Sequence, residues 1–308
     1  MSKKILVATQ KPFAADAIKK MKAIIEKHDG YELELLEKYS DQEEFKKAVK
    51  DADALIIRSD KANREIIEAA QNLKIIVRGG AGYDNIDLES ASEKNIVAMN
   101  TPGQNSNAVA ELALGMMVYI ARGKFNGKPG SELLGKKLGI QAYGNVGKAV
   151  ARIAKGFGMK VYAFDPFLKD DRIASDGVEV ANSVAELYQN CHYVSLHIPA
   201  NEKTKNSINY DLMKSMPKNA VLINTARKEV VCEQSLKKIL AERSDFRYVS
   251  DIAPTCAEEL QQTYADQVFF TPKKMGAQTE EANINAGVAA VNQIISFFEN
   301  GDTTFKVN

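Results

Sequence analysis

Hydrophobic and polar positions alternate along the N-terminal third of the chain in two distinct rhythms. Short β-branched runs at Lys4–Thr9, Tyr31–Leu36, Ala54–Arg58, Lys74–Arg78 and Ile96–Asn100 predict strands. Between them, apolar residues at helical spacing predict helices over Phe13–Glu26, Gln42–Val49, Arg64–Gln71 and Leu88–Glu93. Strand and helix in regular alternation predict a parallel sheet covered on both faces, because each crossover lays a helix against the sheet.

The rhythm breaks at Thr101-Pro102-Gly103-Gln104, which is turn chemistry. Asn105, Ser106 and Asn107 then suit the start of a long apolar helix running to about Ile120. A polar, glycine-rich stretch from Gly123 to Gly130 reads as a surface loop. A second alternating series begins at Lys137, with strands predicted at Lys137–Ala142, Lys160–Phe164, His192–Ile198, Ala220–Asn224, Tyr248–Ile252 and Val268–Thr271. The tail Glu280–Phe298 is again helical and has no strand after it, so it is expected to pack back on the first series. The chain thus reads as α/β with two domains, the first discontinuous (1–102 plus 277–308) and the second spanning 103–276.

The second series opens on a chemical signal. Lys137–Gly147 is strand, tight turn and helix start, and the three small positions of a dinucleotide turn fall on Ala142, Gly144 and Gly147. Gly144 lets the backbone approach a pyrophosphate, and Gly147 lets helix and strand pack closely, while amide groups at the helix start face the anion. Alanine at the first position costs little provided that its φ stays negative. The next strand ends at Asp165, 18 residues beyond Gly147, close to the roughly 20 at which an acid reaches the ribose hydroxyls. Such an acid repels a 2′-phosphate, which favours NAD over NADP.

A third feature is Ala220–Arg227, a buried strand that runs into Asn-Thr-Ala-Arg at its carboxyl end, where open α/β sheets bind ligands. Arg227 can grip a carboxylate there and polarise an adjacent carbonyl. An isolated arginine at a strand end would be read as solvated.

Composition narrows the partners. Lys+Arg 41 against Asp+Glu 40 leaves a net charge of +1, so neither nucleic acid nor an anionic membrane is expected as a partner. Cys191, Cys232 and Cys256 are an odd number without metal-type spacing, so a reduced, cytoplasmic setting is expected, with all three as small buried hydrophobes and no metal site. The apolar run at Ile5–Ala8 is too short for a signal peptide.

Taken together, the ordered segments resemble the D-isomer-specific 2-hydroxyacid dehydrogenases over nearly the full length. The matching stretches are Arg78–Asp87, Asn100–Ser106 with Ala110-Glu111-Leu112, the glycine turn, Val194–Pro199 and Asn224–Arg227. The resemblance implies a flavodoxin-like substrate domain and a Rossmann NAD domain, both doubly wound, with a cleft between them. It implies that Arg227 holds the substrate carboxylate and carbonyl, that backbone amides around Ala81 and Gly82 bind the same carboxylate, and that positive-φ glycines shape that loop. It places Tyr143, Gly144, Asn145, Val146 and Asp165 on the adenosine half of NAD, and Ile198, Pro199, Thr225, Ala226 and Asp251 on the nicotinamide half. His197 would contact NAD or be a core histidine held by the backbone. Within the family, Ile57-Arg58-Ser59 resembles the phosphoglycerate dehydrogenases in their short form without a regulatory domain. Arg58, with Ser59 beside it, would then pair with a substrate phosphate, and the reaction would oxidise 3-phosphoglycerate to 3-phosphohydroxypyruvate, the first step of serine biosynthesis. The family also packs the helix after Asn105 across a two-fold axis. Ala108, Val109, Leu112, Ala113, Met116, Met117 and Ile120 give that helix more apolar surface than one domain face needs, so a homodimer is expected.

Two departures concern the proton. Relatives carry a histidine before a Gly-Ala-Ser-Thr-like run, paired with a glutamate after the late aspartate. Here the run is Thr271-Pro-Lys-Lys-Met-Gly-Ala-Gln-Thr279, which puts Lys274 at the histidine position, and the glutamate position falls near Cys256. A lysine whose pKa is lowered by burial and by Arg227 can act as the base; Lys273 is the alternative to Lys274. His28 and His192 lie away from the motifs. Two other readings stay open: a glyoxylate or hydroxypyruvate reductase, for which Arg58 would be superfluous, and a dinucleotide-sensing protein like the C-terminal-binding-protein corepressors, which tolerates a missing catalytic pair.

Overall fold

The computed structural model describes residues 2–308, so Met1 lies outside the described residues. The chain divides into two compact units, one made of residues up to Asn105 with Gln278–Asn308, the other of Ser106–Ala277. No helix among the described residues is long and apolar enough to cross a membrane.

In the first unit the strands are β1 (Lys3–Thr9), β2 (Tyr31–Glu37), β3 (Ala54–Ile57), β4 (Ile75–Arg78) and β5 (Val97–Asn100). The helices between them are α1 (Ala15–Ile25), α2 (Gln42–Val49), α3 (Arg64–Ala69) and α4 (Leu88–Glu93), and α12 (Glu280–Asn300) joins from the tail. The sheet is parallel in the order β2-β1-β3-β4-β5, the flavodoxin-like winding. Period-two alternation explains the near-continuous apolar strands: Ile5, Val7, Ala54, Ile56, Ile75 and Val77 face one core, which includes Ala290, Val291 and Ile294 of α12. Leu6, Ala8, Leu55, Ile57 and Ile76 face the other, with Phe45 and Ile66. The tail helix thus packs on this sheet. Gly287 permits it, since a Cβ there would lie 2.9 Å from Met21 Sδ on α1.

The second unit starts with α5 (Ser106–Ala121) and continues as β6 (Lys137–Gln141), α6 (Asn145–Gly156), β7 (Lys160–Phe164), α7 (Asp170–Ala174), β8 (Glu179–Val180), α8 (Val184–Asn190) and β9 (Tyr193–Leu196). It then runs through α9 (Tyr210–Ser215), β10 (Val221–Asn224), α10 (Glu233–Glu242), β11 (Arg247–Ser250), α11 (Ala257–Thr263) and β12 (Val268–Phe270). Its parallel sheet has the order β12-β11-β10-β9-β6-β7-β8. Counted from β6 this is the 3-2-1-4-5-6 dinucleotide winding with one more strand at the end. The two-residue edge strand β8 has too little pattern to be legible in sequence. A 3-10 turn at Gly123–Phe125 opens the loop expected between Gly123 and Gly130.

Most of the apolar surface of α5 is used inside its own unit. Ala110, Ala113, Met116, Met117 and Ile120 are buried on the sheet face shared with Leu138, Ile140 and Ile223, while Ala108, Val109 and Leu112 are half-buried. Of the cysteines only Cys191 is buried. Cys232 and Cys256 are half-buried because each is the residue at which the chain enters a helix, α10 and α11.

Candidate active site

Parallel register brings the motif residues of the second unit to one edge. Gln141 pairs with Leu196, Leu196 with Asn224, and Asn224 with Ser250. The residues that follow these four are therefore neighbours along the carboxyl edge: Ala142–Asn145 after β6, His197–Pro199 after β9, Thr225–Arg227 after β10 and Asp251 after β11. Asp165 follows β7 on one side, and the Thr271–Gly276 loop follows β12 on the other. The winding reverses between β6 and β9, where ligands of open α/β sheets bind.

The glycine turn is built for close approach. Gly144 is the residue before α6, and a Cβ on it would meet nothing within 4 Å, so the space over the helix start is open. A Cβ on Gly147 would collide with the Ala142 carbonyl oxygen, because helix and turn already touch there. The proviso about Ala142 is not met: its φ is +75°, the left-handed region, which costs an L-residue about 1–2 kcal/mol relative to glycine. Turn geometry overrode the residue's preference.

Asp165 ties this turn to β7. Its Oδ2 accepts the Tyr143 amide at 2.8 Å and its Oδ1 the Phe167 amide at 2.9 Å, leaving one lone pair per oxygen for hydroxyl donors. Tyr143 is buried, its hydroxyl donating to Asp176 at 3.1 Å. Asn145 and Val146 begin α6 with their amides at its N-terminus. Thr225 Oγ1 is buried without a hydrogen-bond partner among the described residues. An open cradle at a helix start, an acid at the end of the second strand and an orphaned hydroxyl after β10, the strand next to the switch point, all fit a dinucleotide.

His197 donates its backbone N–H to Gln141 at 3.0 Å, and its Nε2 lies 3.0 Å from Ser195 Oγ. Part of the residue reaches solvent, yet protein crowds the ring and loss of hydration pushes the imidazole down to about 3. It is a neutral hydrogen-bonding group at ordinary pH. Ile198 and Ala226 are buried, and Pro199 is exposed.

Asn224 is a residue that sequence reasoning left without a role. Its Oδ1 accepts the Ala226 amide at 2.9 Å and its Nδ2 donates to the Arg227 carbonyl at 2.9 Å, so one buried amide splints the turn that presents Arg227. The position of an asparagine at the end of an apolar strand was the available signal. The half-buried Arg227 has no carboxylate within ion-pair distance among the described residues; its Nη1 donates to the Ala226 carbonyl at 2.9 Å. Asp251 is fully buried and accepts Thr271 Oγ1 and the Met275 amide on Oδ1, each at 2.9 Å, and the Gly276 amide on Oδ2 at 2.8 Å. Its carboxylate holds the loop that carries Lys273 and Lys274. Both lysines are exposed, so protein burial does not supply the desolvation expected of a lysine base. Cys256, at the glutamate position, is a thiol pushed up to about 11 by burial and therefore no acid at neutral pH. His28 lies 3.3 Å from Glu299 in the first unit, and His192 precedes β9 at the opposite edge of the second sheet.

The first unit repeats the arrangement at its own carboxyl edge. Ile57 pairs with Arg78, so Arg58-Ser59 and Gly79–Gly82 are adjacent. The Arg58 guanidinium stacks 4.9 Å from the Phe13 ring centre and donates to the Pro12 carbonyl at 3.0 Å and the Lys11 carbonyl at 3.3 Å. Burial lowers its pKa, though a guanidinium stays charged, and no carboxylate lies within ion-pair distance among the described residues. Asp60, close by, is occupied by the Gln10 amide and the Tyr39 hydroxyl. The positive φ in the following loop falls on Gly80, at +148°, and not on Gly82. Asn100 Nδ2 holds the loop through the Ala81 carbonyl at 2.6 Å, leaving Ala81 exposed and Gly82 half-buried. Ser59 is exposed beside Arg58.

Comparison with known proteins agrees with this geometry. Residues 108–273 match the model for the D-isomer specific 2-hydroxyacid dehydrogenase, NAD binding domain. A hydroxypyruvate reductase of Thermotoga maritima is 35% identical over 281 residues, covering 85% of this chain and 90% of the relative. A D-3-phosphoglycerate dehydrogenase of Methanocaldococcus jannaschii is 37% identical over 270 residues, covering 82% of this chain and 51% of the relative, so this chain spans about half of that protein's length. Among solved structures, the NAD+-bound 3-phosphoglycerate dehydrogenase of Entamoeba histolytica superimposes with a TM-score of 0.88 at 46% identity, over 100% of this chain and 99% of that one. The chain belongs to the D-isomer specific 2-hydroxyacid dehydrogenase family, and residues 108–273 are its NAD-binding domain.

Proposed function

We propose that this protein catalyses the NAD-dependent oxidation of 3-phosphoglycerate at C2, giving 3-phosphohydroxypyruvate. The observation that carries this reading is a pair of half-buried arginines, Arg227 and Arg58, each at a carboxyl edge of its own sheet and neither with a carboxylate partner among the described residues. Partly buried charge without a counterion favours an anionic ligand, and 3-phosphoglycerate carries two anionic ends. The full-length likeness to a 3-phosphoglycerate dehydrogenase supports the same substrate.

In this reading Arg227 grips the carboxylate and polarises the C2 oxygen, with the amides of Ala81 and Gly82 on the same carboxylate. Arg58 pairs with the phosphate and Ser59 flanks it. NAD, when bound, supplies the hydride acceptor. Gly144, Asn145, Val146 and Asp165 hold its adenosine half against Tyr143, while His197, Ile198, Pro199, Thr225 and Ala226 border the nicotinamide half beside Asp251. Lys274, or Lys273, takes the C2 hydroxyl proton as hydride leaves the same carbon. Both lysines are exposed in the protein alone, so bound substrate and cofactor must exclude water from the one that serves as the base.

The similarity to a hydroxypyruvate reductase supports a second reading, reduction of a small 2-oxo acid. NADH absorbance separates the two. Preference for 3-phosphoglycerate over glycerate by at least tenfold in kcat/KM, lost in Arg58→Ala, is the expected result. Equal use of hydroxypyruvate or glyoxylate, unchanged in Arg58→Ala, favours the reductase. NADH binding without turnover of any acid in the panel rejects both.

The reading includes a homodimer formed around α5. Since most of α5 is buried in its own unit, the exposed apolar surface after it is the better mark: Leu134, 67% exposed, lines a groove of about 250 Å³ with Val118, Leu133 and Phe157, and Phe125, 66% exposed, lies in the loop that follows α5. Sedimentation should find a dimer that Leu134→Asp weakens; a native monomer rejects it.

A further inference from the structure

The parallel sheet of the second unit has an amino edge as well, opposite the dinucleotide turn. A cleft of about 670 Å³ lies there, against the residues that lead into β6, β9, β10, β11 and β12, and the end of α5 with the following loop closes it. Its volume lies within the roughly 300–1,000 Å³ of small-molecule sites.

The walls are polar and predominantly cationic. Lys124, Lys128, Lys136, Lys218 and Arg247 line the cleft against Asp245 and Asp266. Asp245 is already engaged, by Arg243 at 2.7 Å and by the Asn219 amide at 2.7 Å. In a chain whose net charge is only +1, this is a local concentration of positive charge in a concavity, where fields are focused.

Part of it has an ordinary explanation. The helices of a doubly wound unit end at this edge, and cations offset their exposed carbonyls. Lys124 donates to the carbonyls of Ala265, after α11, and of Val268, the first residue of β12, and Arg247 to those of Ser244 and Phe246, between α10 and β11. That accounts for two cations. It leaves Lys128, Lys136 and Lys218, whose ammonium groups have no acceptor among the described residues. His192, also lining the cleft, registers the field: burial and then the charges of Lys136 and Lys137 lower its pKa.

We propose that this amino-edge cleft is a second ligand site, distinct from the dinucleotide site, for a small molecule carrying two or more phosphate groups. Three ammonium groups without acceptors match several anionic oxygens; a single carboxylate would satisfy one of them. The dinucleotide turn and the cleft lie at opposite ends of the same strands, so both can be filled at once.

Calorimetric titration of the full chain with inorganic pyrophosphate, in saturating NADH so that the dinucleotide turn is blocked, tests the site. The expected result is one pyrophosphate bound per chain, weakening steeply with salt. The Lys136→Ser/Lys218→Ser double variant should bind at least tenfold more weakly while its NADH affinity is unchanged. Pyrophosphate binding that disappears when NADH is present, no saturable binding at all, or equal binding by the double variant each overturns the proposal.

Discussion

The backbone N–H of Gly276 donates to the buried carboxylate of Asp251 at 2.8 Å, and with the Met275 amide at 2.9 Å it fixes the loop that carries Lys273 and Lys274. Glycine permits this approach, because a Cβ on Gly276 would be 2.9 Å from Asp251 Oδ2. Asp251→Asn keeps the shape but replaces one acceptor oxygen by a donor. A buried amide left unpaired costs about 1–3 kcal/mol. Hydrogen exchange across residues 271–277 should therefore accelerate in Asp251→Asn, with kcat reduced by at least tenfold. Unaltered exchange in that segment would mean that the carboxylate does not anchor the loop.

Lys274→Ala should lower kcat by about a hundredfold or more, the usual size of a lost general base. NADH affinity, followed by fluorescence, should survive. Lys273→Ala is the control. The reverse pattern moves the role to Lys273, and near-normal turnover in both variants removes lysine from the proton step.

Ala142→Gly should relieve the left-handed backbone at φ +75° and raise stability by about 1 kcal/mol, read as a higher urea midpoint. Gly147→Ala should do the opposite and weaken NADH binding, since its new Cβ meets the Ala142 carbonyl. A Gly147→Ala protein with native stability would contradict the close helix–turn contact.

Acid should act through His197. Its pKa is near 3 when folded against 6.5 as the ordinary value, so the unfolded chain binds the extra proton as pH falls below about 6.5. Stability that is fully present at neutral pH is therefore lost progressively between there and pH 3. Melting temperatures measured from pH 7 to 4 should fall less steeply for His197→Gln than for the native protein. Parallel curves would show that the imidazole is not held neutral.

Local pattern determined more of this protein than its site did. Hydrophobic spacing sufficed for every strand but the two-residue β8, since a strand buried on both faces must be apolar throughout. The glycine turn was legible as the opening of an NAD-binding domain, because close backbone approach needs small residues at fixed positions. Tertiary structure alone decided the rest. The left-handed Ala142, the splinting by Asn224, the anchoring by Asp251 and the exposure of Lys274 depend on atoms brought together from distant segments, which one-dimensional pattern does not encode. The same holds for the cationic cleft, whose lysines are scattered in sequence and meet only because parallel strands begin side by side.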